Sequence, residues 1–479
     1  MKKNKFKLKT IGIFLTSSEN KALDDYRVAI VFFGKISPTK FLIVIFFHRL
    51  LHHYPTGPGE YVFGERAELL TYDTGEIFYN NKKTTGIIQV SILCPQNLRN
   101  PFLLIRNKNE RSLAPTCYTC GFKSLPNAKI NSCKHSLIDR AIRGTYCISE
   151  INFALKLGYK ILKIFSGFVY ETSEPLLKDF ISILGYEKLT SCKFDPSFNL
   201  KEITLKMCLK KELTADDFKE NVQKRNFTKL ALNSFLGKFS QKHDRCITKV
   251  IGTEAEITKY FYSKTFNISD IFAVNKYFCH IRLTRKRKTL IPPNQKTNCI
   301  IGAQVVAFAR EFMHQKMLDL EKLNAKIMYF DTDCLIFALK NDQNFPFKIS
   351  PCFGDFKHEI SEHCKILSFY SLGPKNFSIQ YEDEQGSIKD TVKLRGVTLT
   401  NVLNQGQVDS KTYDFYLREF LKNKHVKKSI PQMRSRISKH KKIKVQKFQK
   451  FFFTNSIKAK RIINRNCANL SSFPYGFVE

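Results

Sequence analysis

The sequence predicts an α+β protein with room for two or three domains or one elaborate multi-lobed domain, and three observations carry that prediction. Apolar residues at 305, 309, 312, 317, 320 and 323 follow a helical period between Gly302 and Leu323, with Lys316 the imperfect member. That helix leads straight into Lys326–Phe337, where apolar runs lie on both sides of Asp331-Thr332-Asp333 and read as strand, turn, strand. The chain has 479 residues, 43% of them hydrophobic and 13% aromatic, which suffices for real cores and argues against wholesale disorder.

Shorter elements follow the same logic. Tyr54-Pro-Thr-Gly-Pro-Gly59 is a turn cluster, and Thr85–Leu93 and Phe102–Arg106 are β-like runs. Glu150–Leu157 has helical spacing, Tyr159–Glu171 alternates as a strand does, and Lys211–Phe239 is a helical region broken near Asn221. The segment His425–Arg465, rich in Lys and Arg with scattered aromatics, reads as a helical element facing nucleic acid. Residues 1–50 mix basic and apolar runs and carry no usable motif.

Charge narrows the function. Lys and Arg number 79 against 42 Asp and Glu, a formal net charge of +37, which calls for a polyanionic partner, most simply nucleic acid. The basic residues are spread along the chain rather than gathered on one amphipathic helix, so no membrane partner is expected. The apolar run Phe41–Phe47 falls far short of the roughly 20 residues a bilayer span needs. Ile11–Thr16, after the basic start, is too short for a secretory apolar region, so the 14 cysteines are read as mostly reduced and the protein as intracellular.

Four groups of residues could carry chemistry. Asp331 and Asp333 are spaced i, i+2 and reach one small volume if they sit at a hairpin turn. Two carboxylates so close are costly without a cation, and Mg2+ is the natural one; a solvated Asp-Thr-Asp turn is the alternative. Arg225, Lys229 and Asn233 share one helical face, which could hold a triphosphate or could be a solvated basic surface. Cys117-Tyr-Thr-Cys120 followed by Cys133-Lys-His135 has the ligand types of a small Zn2+ site, against an unmetallated cysteine-rich loop. Lys375, in Gly373-Pro-Lys-Asn-Phe377, and Lys393-Leu-Arg395-Gly396 pair a glycine with cations, a combination that lets a phosphate backbone approach. The basic run Arg282–Lys288 suits the same contact or a solvated loop.

Taken in order, these pieces resemble the B-family DNA polymerases, specifically the viral, organellar-plasmid and transposon-borne branch whose members are often protein-primed. Lys229-Leu-Ala-Leu-Asn233-Ser234-Phe-Leu-Gly237 is similar to the fingers motif Lys-x-x-x-Asn-Ser-x-Tyr-Gly. Tyr329-Phe-Asp331-Thr332-Asp333-Cys334 is similar to the palm motif Tyr-x-Asp-Thr-Asp-Ser, and Lys393-Leu-Arg395-Gly396 fits the later Lys-x-Arg/Lys-Gly element. Gly373-Pro-Lys-Asn-Phe377 and Phe473-Pro-Tyr-Gly476 also resemble segments of that branch. The resemblance covers about residues 54–479.

The resemblance implies a right-hand polymerase: residues 1–53 as a non-matching segment, 54–210 as palm with the Cys-containing insertion, and 211–240 as fingers. Residues 241–300 form an insertion, 301–405 return to the palm, 406–479 are thumb, and no exonuclease domain fits in 1–50. It implies DNA-directed DNA synthesis in replication with two Mg2+ ions, on a DNA primer-template with deoxynucleoside triphosphates and, in this branch, a terminal protein primer. Asp331 and Asp333 become the catalytic metal ligands, Arg225, Lys229, Asn233 and Tyr329 the nucleotide site, and Lys375, Lys393, Arg395 and Gly396 the DNA grip. The family's further metal-binding aspartate is expected just before Tyr54, yet Pro38–His53 contains no carboxylate. Leu236 replaces the aromatic before Gly237, and Cys334 replaces a serine. An inactive DNA-binding relic of a mobile-element or viral polymerase is therefore the alternative reading.

Overall fold

The computed structural model describes residues 7–10, 26–32 and 51–479, the last without 110–111, 126–127, 197, 241–245, 287–296, 332–333, 341, 350–354, 359, 362, 374, 396, 398–407, 422–426, 438–442, 454–459 and 465–470. The architecture is mixed α and β, and its centre is the strand Cys334–Lys340. Every residue from Cys334 to Leu339 is buried, as an unbroken apolar run requires when both faces of a strand are covered. Leu335, Phe337 and Leu339 enter one core, while Cys334, Ile336 and Ala338 enter another with Phe369, Phe377 and Ile379. Lys326–Asp331 pairs antiparallel on one side, with Asp331 opposite Cys334.

The helix Cys299–Lys322 forms for reasons visible in the sequence. The Asn298 side chain accepts from the Ile300 and Ile301 amides and starts it. Ile301, Val305, Ala309, Met313, Met317 and Leu320 make its buried stripe over the central sheet. Asn324 takes a left-handed φ of 52°, and the Ala325 amide donates to Leu320 O (3.0 Å) while that of Asn324 donates to Glu321 O (2.9 Å). This Schellman end turns the chain directly into the Asp331 strand.

A second antiparallel sheet has the order Ile142–Cys147, Thr85–Leu93, Lys160–Tyr170, Glu60–Phe63. The helix Ile148–Lys156 follows at once and is joined to the long helix by polar contacts. Buried Glu150 accepts from the Cys147 amide at 3.1 Å and pairs with Arg310, and Gln304 donates to Ser149 Oγ at 2.8 Å. Residues Ile247–Ile251, Phe266–Ala273 and Cys279–Arg285 form a separate small sheet packed by Glu254–Phe261 around Ile251, Ile281 and Leu283. Arg282 and Arg285 of the basic run lie in its last strand.

Two early strands join later ones, and one expectation changes. Lys7–Thr10 pairs parallel with Lys365–Gly373, and Tyr26–Phe32 pairs antiparallel with Cys334–Lys340. The run Val28-Ala-Ile-Val31, three of its four residues β-branched, suits an inner strand, but its partner lies some 300 residues away and no local signal names it. The helix expected within His425–Arg465 is an antiparallel ribbon, Lys427–Ile437 with Ile443–Phe453. Pro431 forbids a helix interior, and Ile443-Lys-Val445 alternates with period two. Within 406–479, helix Ser410–Leu421 packs on the Asn376–Glu382 sheet, where Tyr413 Oη donates to Asn376 Oδ1 at 3.0 Å, and Tyr475 packs in the core of the Thr85–Leu93 sheet. No helix among the described residues is long and apolar enough to cross a membrane.

Candidate active site

The Asp331 strand carries a β-bulge between Ile327 and Tyr329. Bulges re-aim side chains, and here Tyr329 turns into the core shared with Phe369 and Phe377, its ring centroid 5.2 Å from that of Phe377. The Tyr329 hydroxyl links two elements: it accepts from the Lys375 amide at 2.9 Å and donates to Asp331 Oδ2 at 3.4 Å. Burial first, and the Asp331 charge second, hold its pKa well above the ordinary phenol value, so it stays a neutral donor.

Lys375 immediately precedes Asn376, which pairs with Gly373 at the end of the hairpin of Lys365–Gly373 and Asn376–Glu382. Its φ is +58°, a left-handed conformation that costs an L-residue about 1 kcal/mol. The bond from its amide to Tyr329 helps hold that conformation, and its ammonium lies 3.6 Å from Asp331 Oδ2. Lys460 was not singled out in the sequence, where it is one cation among many. Burial lowers its pKa, the field of Asp331 opposes the fall, and that of Arg395 adds to it, so all three charges share one electrostatic environment. Lys393 stands over the Phe377 ring at 5.3 Å from the centroid.

The structure therefore brings together Tyr329, Asp331 and Lys375, with Lys393 over the neighbouring Phe377 ring. Asp333 and Gly396 lie outside the described residues. The strand beside the turn ends at Phe32, opposite Cys334, while Tyr26 is opposite Lys340 at the far end, about 20 Å away. Asp24 and Asp25 adjoin that far end in sequence, and none of residues 26–59 is acidic.

Arg225 and Lys229 lie on a different element, the helix Val222–Phe239. Asn221 begins it, its side chain accepting from the Lys224 amide at 2.9 Å, which explains the break there. Lys224 is taken by Glu187 of a neighbouring helix. Lys229 is only 8% exposed, and Arg225, one turn earlier on the same face, is half-buried. The side chain of Asn233 lies outside the described residues.

Cys117, Cys120, Cys133 and His135 converge, all four ligand atoms lying within 4.8 Å of one another. Cys120 hydrogen-bonds to Cys117 and lowers that thiol's pKa, while its own is raised. Among the described residues this is the only group of three or more His, Cys, Asp or Glu with such convergence.

The family model for organellar and viral type B DNA polymerases matches residues 49–317, more than half of the chain. No curated protein sequence matches it. Among solved structures, phi29 DNA polymerase in an orthorhombic crystal form is similar with a TM-score of 0.45, at 14% identity, over 86% of this chain and 55% of that one. Its ternary complex with primer-template DNA and incoming nucleotides gives 0.46 at 14% identity, over 92% and 60%. The complex with single-stranded DNA gives 0.45 at 14% identity, over 88% and 58%. This chain thus spans three-fifths or less of the structures it matches. By the family match, the chain belongs to the organellar and viral type B DNA polymerases.

Proposed function

We propose that the chain performs template-directed nucleotidyl transfer in DNA replication, with 54–210 and 301–405 as palm, 211–240 as fingers, 241–300 as an insertion and 406–479 as thumb. The observation that carries this is the Asp331 hairpin: a carboxylate at the end of a buried strand pair, faced by Lys375 and hydrogen-bonded by the Tyr329 hydroxyl. In the reaction, the primer 3′ oxygen bonds to the α-phosphorus of a deoxynucleoside triphosphate as the bond to pyrophosphate breaks, and the hydroxyl proton passes to solvent. Asp331 and Asp333 supply the hard oxygen donors that suit Mg2+, and the Asp331 side chain is 27% exposed, open enough for an ion and phosphates to approach. Two such ions, when bound, stabilise charge on the attacking and leaving oxygens. Arg225, Lys229 and Asn233 hold the triphosphate, Tyr329 fixes Asp331 beside the primer end, and Lys375, Lys393, Arg395 and Gly396 grip the DNA backbone.

A second reading, DNA binding without synthesis, is favoured by one observation. The strand beside the Asp331 turn ends at Phe32 and its sequence brings no carboxylate to that end. Primer extension by the full chain in Mg2+ or Mn2+ decides. Extension that Asp333→Asn abolishes supports synthesis. Tight, steeply salt-dependent primer-template binding without any extension establishes the second reading and overturns the first.

A further inference from the structure

We propose that Cys117, Cys120, Cys133 and His135 bind one structural Zn2+, and that this ion clasps the segment Phe473–Glu479 to the lobe built on Thr85–Leu93. The donor geometry comes first. His135 Nδ1 lies 3.5 Å from Cys117 Sγ, 3.4 Å from Cys120 Sγ and 3.5 Å from Cys133 Sγ. A tetrahedral zinc with its usual bond lengths to sulfur and nitrogen has S···N edges of about 3.6 Å. One ring nitrogen equidistant from three thiols is a poor hydrogen-bond arrangement, since it has a single proton or a single lone pair to offer. Disulfides do not account for it either: all three cysteines are free, and an odd number cannot pair among themselves.

The local backbone is arranged as a knuckle. Cys117 precedes the short helix Tyr118–Lys123, and the Gly121 and Ser124 amides donate to Cys117 O and Cys120 O at 3.0 and 2.9 Å. Cys133-Lys-His135 runs into the Leu137–Arg140 turn, whose start Ser136 caps by accepting from the Asp139 amide. The loop so gathered offers its polar groups to the later segment. Tyr475 O accepts from the Thr116 amide (3.0 Å), the Cys117 amide (3.4 Å) and Thr116 Oγ1 (3.3 Å). Phe477 O accepts from the Asn131 amide at 3.1 Å, and the Glu479 amide donates to Asn131 Oδ1 at 2.9 Å.

The fit is close at one residue. Gly476 has φ +89°, and a Cβ there would collide with Cys117, a metal ligand in this reading. The clasped segment leads back through the strand pair Ser471–Phe473 with Ile462–Asn464 to Arg461, which donates to Ser472 Oγ at 3.1 Å and to Arg99 O at 2.9 Å.

The test uses the full chain and does not depend on polymerase activity. Metal analysis of folded protein should find one zinc per chain, and Co2+ replacement should give the d–d absorption of a tetrahedral thiolate site. Cys133→Ser should lose the metal and His135→Cys should keep it. Chelation should raise amide exchange at Thr116, Cys117, Asn131 and Val478 by about tenfold or more while the central sheet stays protected. Gly476→Ala should raise the same exchange with zinc retained. Folded protein without zinc, and without thiolate absorption on adding Co2+, overturns the metal site. Zinc present, with exchange unchanged on its removal, overturns the clasp.

Discussion

Lys375 combines backbone strain with a charge, and two substitutions separate them. Its φ of +58° costs an L-residue about 1 kcal/mol, whatever the side chain. Lys375→Ala keeps that cost and loses the ammonium; Lys375→Gly loses both, but adds roughly 0.5 kcal/mol of chain entropy to the unfolded state. The lost ion pair with Asp331 is small, because the Lys375 side chain is 65% exposed and the separation is 3.6 Å, so it contributes under about 1 kcal/mol. Lys375→Gly should therefore be more stable than Lys375→Ala by about 0.5 kcal/mol. Urea unfolding followed by circular dichroism measures this, since the chain has no tryptophan. On primer-template DNA, both variants should lower the slope of log affinity against log salt by about 0.9, the value for one phosphate contact. If alanine and glycine give equal stability, the strain reasoning fails; if the slope does not move, Lys375 does not touch phosphate.

Two further substitutions probe what holds the site. Tyr329→Phe removes the acceptor of the Lys375 amide and should cost about 1–3 kcal/mol in urea unfolding. The raised pKa of Tyr329 means that the folded state keeps its proton longer than the unfolded chain, so this stability is present below pH about 10 and declines above it; the phenylalanine variant should show a shallower alkaline decline. Arg310→Met strands the buried carboxylate of Glu150 and should cost about 3 kcal/mol, most of it recovered when Glu150→Gln is added, as a double-mutant cycle will register.

What was legible in the sequence was local. Thr85–Leu93 has the strand bounds read for it, and the period over Gly302–Leu323 falls on the helix Cys299–Lys322, whose C-cap is Leu323. In both cases one element and one core fix the pattern. The Cys117–His135 convergence was also legible, because ligand type and spacing are local properties. What was not legible depends on distant partners. Tyr26–Phe32 becomes a central strand only beside Cys334–Lys340, and Gly476 matters only where Cys117 comes up against it. Lys460 looks like any lysine in a chain of net charge +37 until the field of Asp331 acts on it. The ribbon Lys427–Phe453 was misread because cations on a strand and on a helix look alike when neither face is apolar, although Pro431 was a usable signal.

The charge around Asp331 leads to a prediction of opposite sign for binding and for synthesis. This carboxylate lies 3.6 Å from Lys375, a cation expected to meet DNA, and its field reaches Lys460. For a bound phosphate it is a like charge, and at a separation near 8 Å with an effective dielectric near 40, one unit charge amounts to about 1 kcal/mol. Asp331→Asn should therefore tighten primer-template binding about fivefold at low salt in the absence of divalent ions. The same change removes a hard oxygen donor and should abolish any extension. Anisotropy titrations with and without Mg2+ separate the effects: the ion should tighten binding for the parent chain and leave the variant unmoved. Weaker binding by Asp331→Asn without divalent ions would mean that Asp331 orders the cations around it rather than opposing the phosphate, and the electrostatic reasoning would be wrong.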